Sequence, residues 1–133
     1  MIHLILVLVD SSPISEQALI EAINIGRIYR SKITCVHPIP RHDELLLKVG
    51  HDIIKRAEEI VRSTGLEFEW RIVEDQPGPA MVKVASRLKA DLAVVGSLGE
   101  QGIARHLLPS IAEHVVKNAP CDVLVVKRDR PVF

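Results

Sequence analysis

The chain has 133 residues and a mass of 14.8 kDa, which fits one domain spanning residues 1–133. Its 17 Lys and Arg residues balance its 17 Asp and Glu residues, so the composition argues against binding nucleic acid or a membrane surface through bulk positive charge. Aromatic residues make up only 3% of the chain, so aliphatic side chains must build the core, and no apolar run reaches the length of a membrane-spanning helix.

The chain contains two cysteines, Cys35 and Cys121, too few for a disulfide framework. They are typical of reduced thiols in a cytoplasmic protein, which is the predicted location. The apolar start at Ile2–Val9 lacks the basic segment and cleavage site of a signal peptide, and the charged Asp10 ends it. We therefore interpret Ile2–Val9 as a first strand.

Strand and helix patterns alternate along the chain. Strands are predicted at residues 2–9, 32–37, 66–72, 92–95 and 122–127, and helices are predicted to open at Ser12-Pro13, Asp43, Gly78-Pro79 and Ser110. Pro38 and Pro40 are expected to stop the second strand. The third strand alternates apolar and polar residues, as in a strand near the sheet edge with one wet face, whereas the other strands are almost wholly apolar. Ser110 and Glu113 form a capping box, with Ser110 as the N-cap.

This βαβαβαβαβ order predicts an α/β fold with one doubly wound, five-stranded parallel sheet and helices on both faces. In such Rossmann-like folds, ligands bind beyond the carboxyl ends of the strands. The residues to weigh are therefore those that follow each strand: Asp10 and Ser11, His37 and Pro38, Asp75 to Gly78, and the segment from Gly96.

Several familiar chemistries lack their sequence signatures. There is no Walker-type phosphate loop and no G-x-G-x-x-G after the first strand. A phospho-acceptor receiver would need paired acids after the first strand, where Asp10 stands alone. Asp10, His37 and a serine could be imagined as a triad, but no nucleophile elbow is present. Cys35 and His37 share one face of a strand, but no second pair completes a metal site.

The segment from Gly96 to Ile111 joins a buried strand to a helix N-terminus, a place where backbone N–H groups can meet a phosphate. Together with Val7–Ser12, Lys89–Leu92 and Ala119–Val126, it resembles the universal stress protein family over essentially the whole chain. Nucleotide-binding members of that family carry G-x2-G-x9-G-[ST] at this loop. Gly96, Gly99 and Ser110 match the motif, and Pro109 stands where the third glycine belongs.

The resemblance implies a strand order of 3-2-1-4-5 and an adenine nucleotide as ligand, either ATP, with Mg²⁺, or AMP. It implies that Asp10 faces the adenine or ribose, and that Pro38, Val95 and Ile111 form the pocket wall. It assigns phosphate and ribose contacts to Gly96, Gly99 and Ser110. Each also has a structural interpretation: Asp10 can simply end a strand, the glycines can serve a turn, and Ser110 can cap a helix.

Three departures from the family pattern weaken the predicted phosphate site. Pro109 has no N–H to donate, Leu98 replaces a residue that is often basic, and Glu100 adds negative charge that Arg105 can offset. Losing one hydrogen bond to a charged group costs about 1.5–3 kcal/mol, or about ten- to a hundredfold in affinity. The alternative is a nucleotide-free dimer of the same family that binds protein partners.

The fifth strand predicts self-association. In the implied order it lies at the sheet edge, and an apolar edge must be covered. The tail Arg128–Phe133 or a helix could cover it, but the simplest cover is a second copy in a two-fold homodimer, which the family resemblance also implies. The residues expected in that interface are Val123, Leu124, Val125 and Val126. No residue is a convincing nucleophile or general base, so we expect binding rather than catalysis, with at most slow ATP hydrolysis.

Overall fold

The computed structural model describes residues 1–97 and 110–127. Its strands are β1 (Leu4–Leu8), β2 (Lys32–Ile39), β3 (Phe68–Glu74), β4 (Leu92–Gly96) and β5 (Asp122–Val126). Its helices are α1 (Pro13–Tyr29), α2 (Glu44–Arg62), α3 (Pro77–Leu88) and α4 (Ser110–Asn118). The predictions made for Leu98, Gly99, Glu100, Arg105 and Pro109 lie outside the described residues.

The five strands form one parallel sheet in the order β3-β2-β1-β4-β5, which confirms both the predicted fold class and the implied order. Helices α1 and α2 pack on one face and α3 and α4 on the other, each pair over its own apolar cluster. The direction of the chain across the sheet reverses between β1 and β4. Side chains from both strands enter both clusters, which explains why these strands contain almost no polar residues.

The helix starts follow the capping rules with small shifts. The Ser12 hydroxyl caps α1 by accepting the Ser15 N–H at 3.2 Å, and Pro13 takes the first helical position as predicted. Asp43 caps α2. Helix α3 begins at Pro77 instead of Gly78, because the fixed φ of proline suits a first helical turn. Ser110, predicted as an N-cap, already belongs to α4.

The prediction that Pro38 ends β2 is wrong. Lys32 N–H donates to the His3 carbonyl and Val9 N–H to the Val36 carbonyl, so alternate residues of β2 direct their backbone groups toward β1. The same spacing would direct an N–H at position 38 to the Val9 carbonyl. Pro38 has no such donor, and Nδ1 of His37 lies 2.8 Å from that carbonyl instead. The side chain thus replaces the missing backbone bond, and β2 continues to Ile39.

The side chains of the edge strand β3 do not show the predicted pattern of one solvent-exposed face and one covered face. Trp70, expected on the covered side, is 41% exposed, and its ring meets His51 edge-on with centroids 5.3 Å apart. The charged Glu69 and Arg71 are only partly exposed, because Glu69 pairs with Lys32 and Arg71 on the opposite face. The exposure of a β3 side chain therefore depends on its position at the sheet edge as much as on the alternation of apolar and polar residues.

Asp91, in the turn before β4, accepts hydrogen bonds from the amino end of β1. Its Oδ2 accepts the Leu4 N–H at 3.0 Å and the His3 N–H at 2.8 Å. These bonds, led by that of Leu4, lower the pKa of the Asp91 carboxyl because they favour its ionised form. The carboxylate therefore stabilises the fold above the pKa of an unfolded aspartate, about 3.9, and loses that effect as the pH falls through the folded pKa.

We expect Asp91→Asn to lower the free energy of unfolding by about 1 kcal/mol at pH 7, a value discounted for partial exposure. Urea unfolding at pH 7 and pH 3 measures the effect. The gap in the free energy of unfolding between the variant and the unmodified protein should be smaller at pH 3. Asp52→Asn, at an exposed position of α2, is the control. A gap that stayed constant between the two pH values would contradict the assignment.

Candidate functional site

The carboxyl edge of the sheet brings together residues that are far apart in the sequence. Leu8 pairs with Val36 and Val7 with Val94. Continuing these registers by two and three residues places Asp10, Pro38 and Ser97 at one level, just beyond the ends of β1 and β4, while Pro38 still belongs to β2. This level lies at the reversal between β1 and β4, where a doubly wound sheet forms its ligand crevice.

Hydrogen bonds within the β1–α1 connection hold Asp10 in place. Its N–H donates to the Ser15 hydroxyl at 2.8 Å, and its Oδ1 accepts the Ser12 N–H at 2.7 Å. The Ser15 hydroxyl in turn donates to the Leu8 carbonyl at 3.4 Å. The side chain of Asp10 is exposed. The loop therefore fixes a carboxylate at the sheet edge, next to the N-terminus of α1.

Gly96 lies at a close approach of β4 to the first turn of α1. A Cβ added at Gly96 would lie 3.0 Å from Cγ1 of Ile14 and 3.1 Å from the Ile14 carbonyl oxygen. Both distances are shorter than ordinary van der Waals contacts, so a larger residue would push away the first turn of α1. Packing alone thus requires glycine here, and the predicted contact of Gly96 with a nucleotide stays a prediction.

The other predicted pocket residues have different degrees of exposure. Pro38 and Ile111 are half-buried, and Ser110 is exposed at the start of α4. Val95 has no exposed surface and belongs to the core beneath α3 and α4, so its side chain can meet a ligand only if the structure opens. Asp10, Pro38, Val95, Gly96, Ser110 and Ile111 are the described candidates and stay predictions, and Gly99 lies outside the described residues.

His37 supports this edge, a role that sequence reasoning missed. It is 8% exposed, and it bonds to the carbonyl of Val9, the residue before Asp10. Because a carbonyl only accepts, Nδ1 of the ring must carry the hydrogen. The ring is packed against Gly50 of α2, where an added Cβ would lie 2.9 Å from its Cδ2 atom. The sequence signal was a histidine directly before a proline inside an apolar strand.

We expect Gly50→Ala to have opposite effects on the free energy of unfolding, depending on whether residue 37 is histidine or alanine. Alanine favours a helix interior over glycine by about 0.5–1 kcal/mol, but its Cβ must displace the His37 ring from the Val9 carbonyl. Gly50→Ala should therefore destabilise the unmodified protein by about 1–2 kcal/mol and stabilise the His37→Ala variant. Denaturant unfolding of the four proteins measures this. The same sign in both backgrounds would contradict the role of His37.

The described residues do not assemble an activated nucleophile. Burial raises the pKa of the Cys35 thiol to about 12, so it stays protonated at neutral pH. Burial also raises the pKa of Cys121. Nδ1 of His37 bonds to a backbone carbonyl, where the orienting carboxylate of a triad would bind. Within residues 1–97 and 110–127, no group of three or more His, Cys, Asp or Glu side chains could hold a metal ion.

The carboxyl end of β3 takes no part in this arrangement. Asp75 pairs with Lys83 of α3 and accepts the Gln76 N–H at 2.7 Å. These contacts, led by the hydrogen bond from Lys83, lower the pKa of the Asp75 carboxyl. Gly78 lies against the ring of His114 on α4, with only 2.9 Å between an added Cβ and the ring. This segment therefore joins α3 to its neighbours on the opposite face from α1 and α2.

The comparisons with known proteins agree with this fold. The sequence profile of the universal stress protein family matches residues 1–127. The chain belongs to the universal stress protein family. A universal stress protein of Methanocaldococcus jannaschii is 32% identical over 135 aligned positions, which cover 91% of this chain and 79% of that protein.

Solved universal stress proteins share the fold. One, in complex with cAMP, is 28% identical with a TM-score of 0.79, covering 94% of this chain and 96% of the other. Another, from Archaeoglobus fulgidus in complex with dAMP, is 25% identical with a TM-score of 0.79, covering 96% of this chain and all (100%) of the other. The ligands of both are adenine nucleoside monophosphates. Among the described residues of this chain, no helix is long and apolar enough to cross a membrane.

Proposed function

We propose that this universal stress protein binds an adenine nucleotide at the carboxyl edge of its sheet and acts by binding rather than by turnover. The observation that carries the proposal is the position of Asp10, an exposed carboxylate fixed where the sheet reverses, at the level of Pro38 and Ser97. A carboxylate has two acceptor oxygens, which suits ribose hydroxyls or an exocyclic amine.

Ser110 and Ile111 at the start of α4 supply the second half of the proposed site. The first N–H groups of a helix lack intrahelical partners, so they favour a phosphate. Gly96, Gly99 and Ser110 complete the family motif in the sequence. Because two structural relatives bind adenine nucleoside monophosphates, we propose AMP before ATP with Mg²⁺ as the ligand.

Calorimetric titration with AMP tests the proposal. We expect Asp10→Asn to weaken binding about tenfold or more, because hydrogen bonds to a charged acceptor are the stronger ones. The asparagine oxygen can still accept the Ser12 N–H, so the loop should keep its shape. Asp52→Asn on α2 is the matched control and should leave the affinity unchanged. No heat from the unmodified protein at millimolar AMP would refute nucleotide binding.

We also propose that the protein is a homodimer through β5. Val123, Leu124 and Val125 are only half-buried, whereas Val126, the last residue of β5, is buried. Pairing with a second copy would cover these side chains and satisfy the outward backbone groups. The reduced cysteines still favour the cytoplasm, and other proteins remain candidate partners of such a dimer.

A further inference from the structure

A groove lies between α1 and α2 and reaches the β1–α1 connection at Asp10, Ser11 and Ser12. Its volume is about 260 Å³, at the small end for binding clefts. Leu19 of α1 lines it opposite Ile53, Ala57 and Ile60 of α2, so most of the floor is apolar. The α2 residues recur every three or four positions and extend along the helix well below the sheet edge that holds the proposed nucleotide site.

The apolar surface continues beyond the floor of the groove onto both helices. Val49, which lines the groove, is 46% exposed, and Leu45, one turn before it, is 69% exposed. On α1, Ile20 lies one turn after the lining residue Glu16 and is 40% exposed. Exposed apolar side chains that follow a groove at helical spacing are typical of a surface that receives another helix.

The charges that line the groove are mostly negative. Among the described residues that line it, Asp10, Glu16 and Asp52 are acidic and Arg56 is the one cation, which gives a net charge of −2. Arg56 crosses the groove to Glu16, with 3.0 Å between Nη2 and Oε1. Both side chains are largely exposed, at 68% and 43%, so this ion pair is weak and an incoming cation can displace it.

We propose that this groove docks a basic amphipathic helix of a partner protein. The apolar stripe of such a helix would cover Val49, Ile53 and Leu19, and its Lys or Arg residues would pair with Asp52 and Glu16. The groove shares Asp10 with the proposed nucleotide site, and from there its α2 lining extends from Val49 to Ile60, so the two surfaces adjoin at Asp10. The proposal does not require nucleotide binding.

A fluorescein-labelled, 18-residue peptide with leucines on one helical face and lysines on the other tests the proposal by fluorescence anisotropy. We expect saturable micromolar binding. A scrambled peptide of the same composition should bind at least tenfold more weakly, and the same peptide with glutamates in place of lysines should not bind. Equal binding of the ordered and scrambled peptides would overturn the proposal, because it would show attraction by charge alone.

Substitutions locate the binding surface. Val49→Lys and Asp52→Lys should each weaken peptide binding at least tenfold, whereas Arg56→Ala should tighten it severalfold by removing the one cation among the described residues that line the groove. Val116→Lys, at a 47% exposed position on α4, is the control. Unchanged affinity in Val49→Lys, or self-association of the unmodified protein that Val49→Lys abolishes, would overturn the proposal. AMP binding should survive Val49→Lys, so failure of one proposal is distinguishable from failure of the other.

Discussion

Val125→Lys is expected to convert the protein from a dimer to a monomer. Ser97 N–H donates to the Val126 carbonyl, so Val126 directs its backbone toward β4, and Val125 directs its own N–H and carbonyl away from the sheet. A second β5 strand could pair with those groups. A lysine at this position would bring a charge into the apolar interface of a dimer, where it has no partner.

The opposite edge of the sheet is protected. On β3, the Arg71 guanidinium donates to the outward carbonyl of Trp70 at 2.9 Å, and Glu69 binds the same arginine. Charged side chains of this kind hinder the addition of another strand. No charged residue lies between Asp122 and Lys127 on β5. Charged side chains therefore protect the β3 edge but not the β5 edge, and this difference favours pairing through β5.

Light scattering with size-exclusion chromatography measures the outcome. The unmodified protein should elute at twice the chain mass of 14.8 kDa, and Val125→Lys should elute at the chain mass. Val125→Pro should behave likewise, because it removes an N–H that points out of the sheet. Val116→Lys on α4 should remain dimeric. A monomeric unmodified protein at 100 μM, or a dimeric Val125→Pro variant that circular dichroism shows to be folded, would contradict pairing through β5.

Pro109→Gly is expected to raise the affinity for adenine nucleotides by about ten- to a hundredfold. The residue precedes Ser110, the first residue of α4, and takes the place of the third glycine in the family motif. Glycine would restore one N–H toward a bound phosphate, and a hydrogen bond to a charged group contributes about 1.5–3 kcal/mol.

The gain should be larger for nucleotides than for adenosine, because the restored N–H would serve the phosphate. Calorimetric titrations with AMP, ATP and adenosine distinguish these cases. Pro120→Gly, in the connection before β5, is the matched control and should leave all three affinities unchanged. Equal affinities before and after Pro109→Gly would show that the proline does not limit the site.

The sequence predicted the layers of the fold well because burial determines them. The unbroken apolar runs in β1 and β4 indicated strands covered on both faces, and both strands do enter both clusters. The order of the strands is not encoded in such local patterns, and it came from the family resemblance. Pro38 was misjudged because its effect depends on His37 and on the register with β1, which only the folded sheet reveals.

The candidate site was predictable in position but not in geometry. Residues after parallel strands meet at one edge, so Asp10 could be placed there from the sequence. The steric need for glycine at position 96 depends on how closely α1 approaches β4. The groove between α1 and α2 depends likewise on the packing of two helices whose sequences show only which faces are apolar.

Amide chemical-shift mapping by NMR tests the central claim of nucleotide binding at the sheet edge most directly. Titrating AMP into the ¹⁵N-labelled protein should shift the amides of Asp10, Ser11, Gly96, Ser97 and Ile111, with saturation as AMP is added. The amides of Asp52 and Arg56 in the α1–α2 groove should move little. Shifts confined to the α1 and α2 helices, such as those of Asp52 and Arg56, or no shifts at millimolar AMP, would contradict an adenine-nucleotide site at the carboxyl edge.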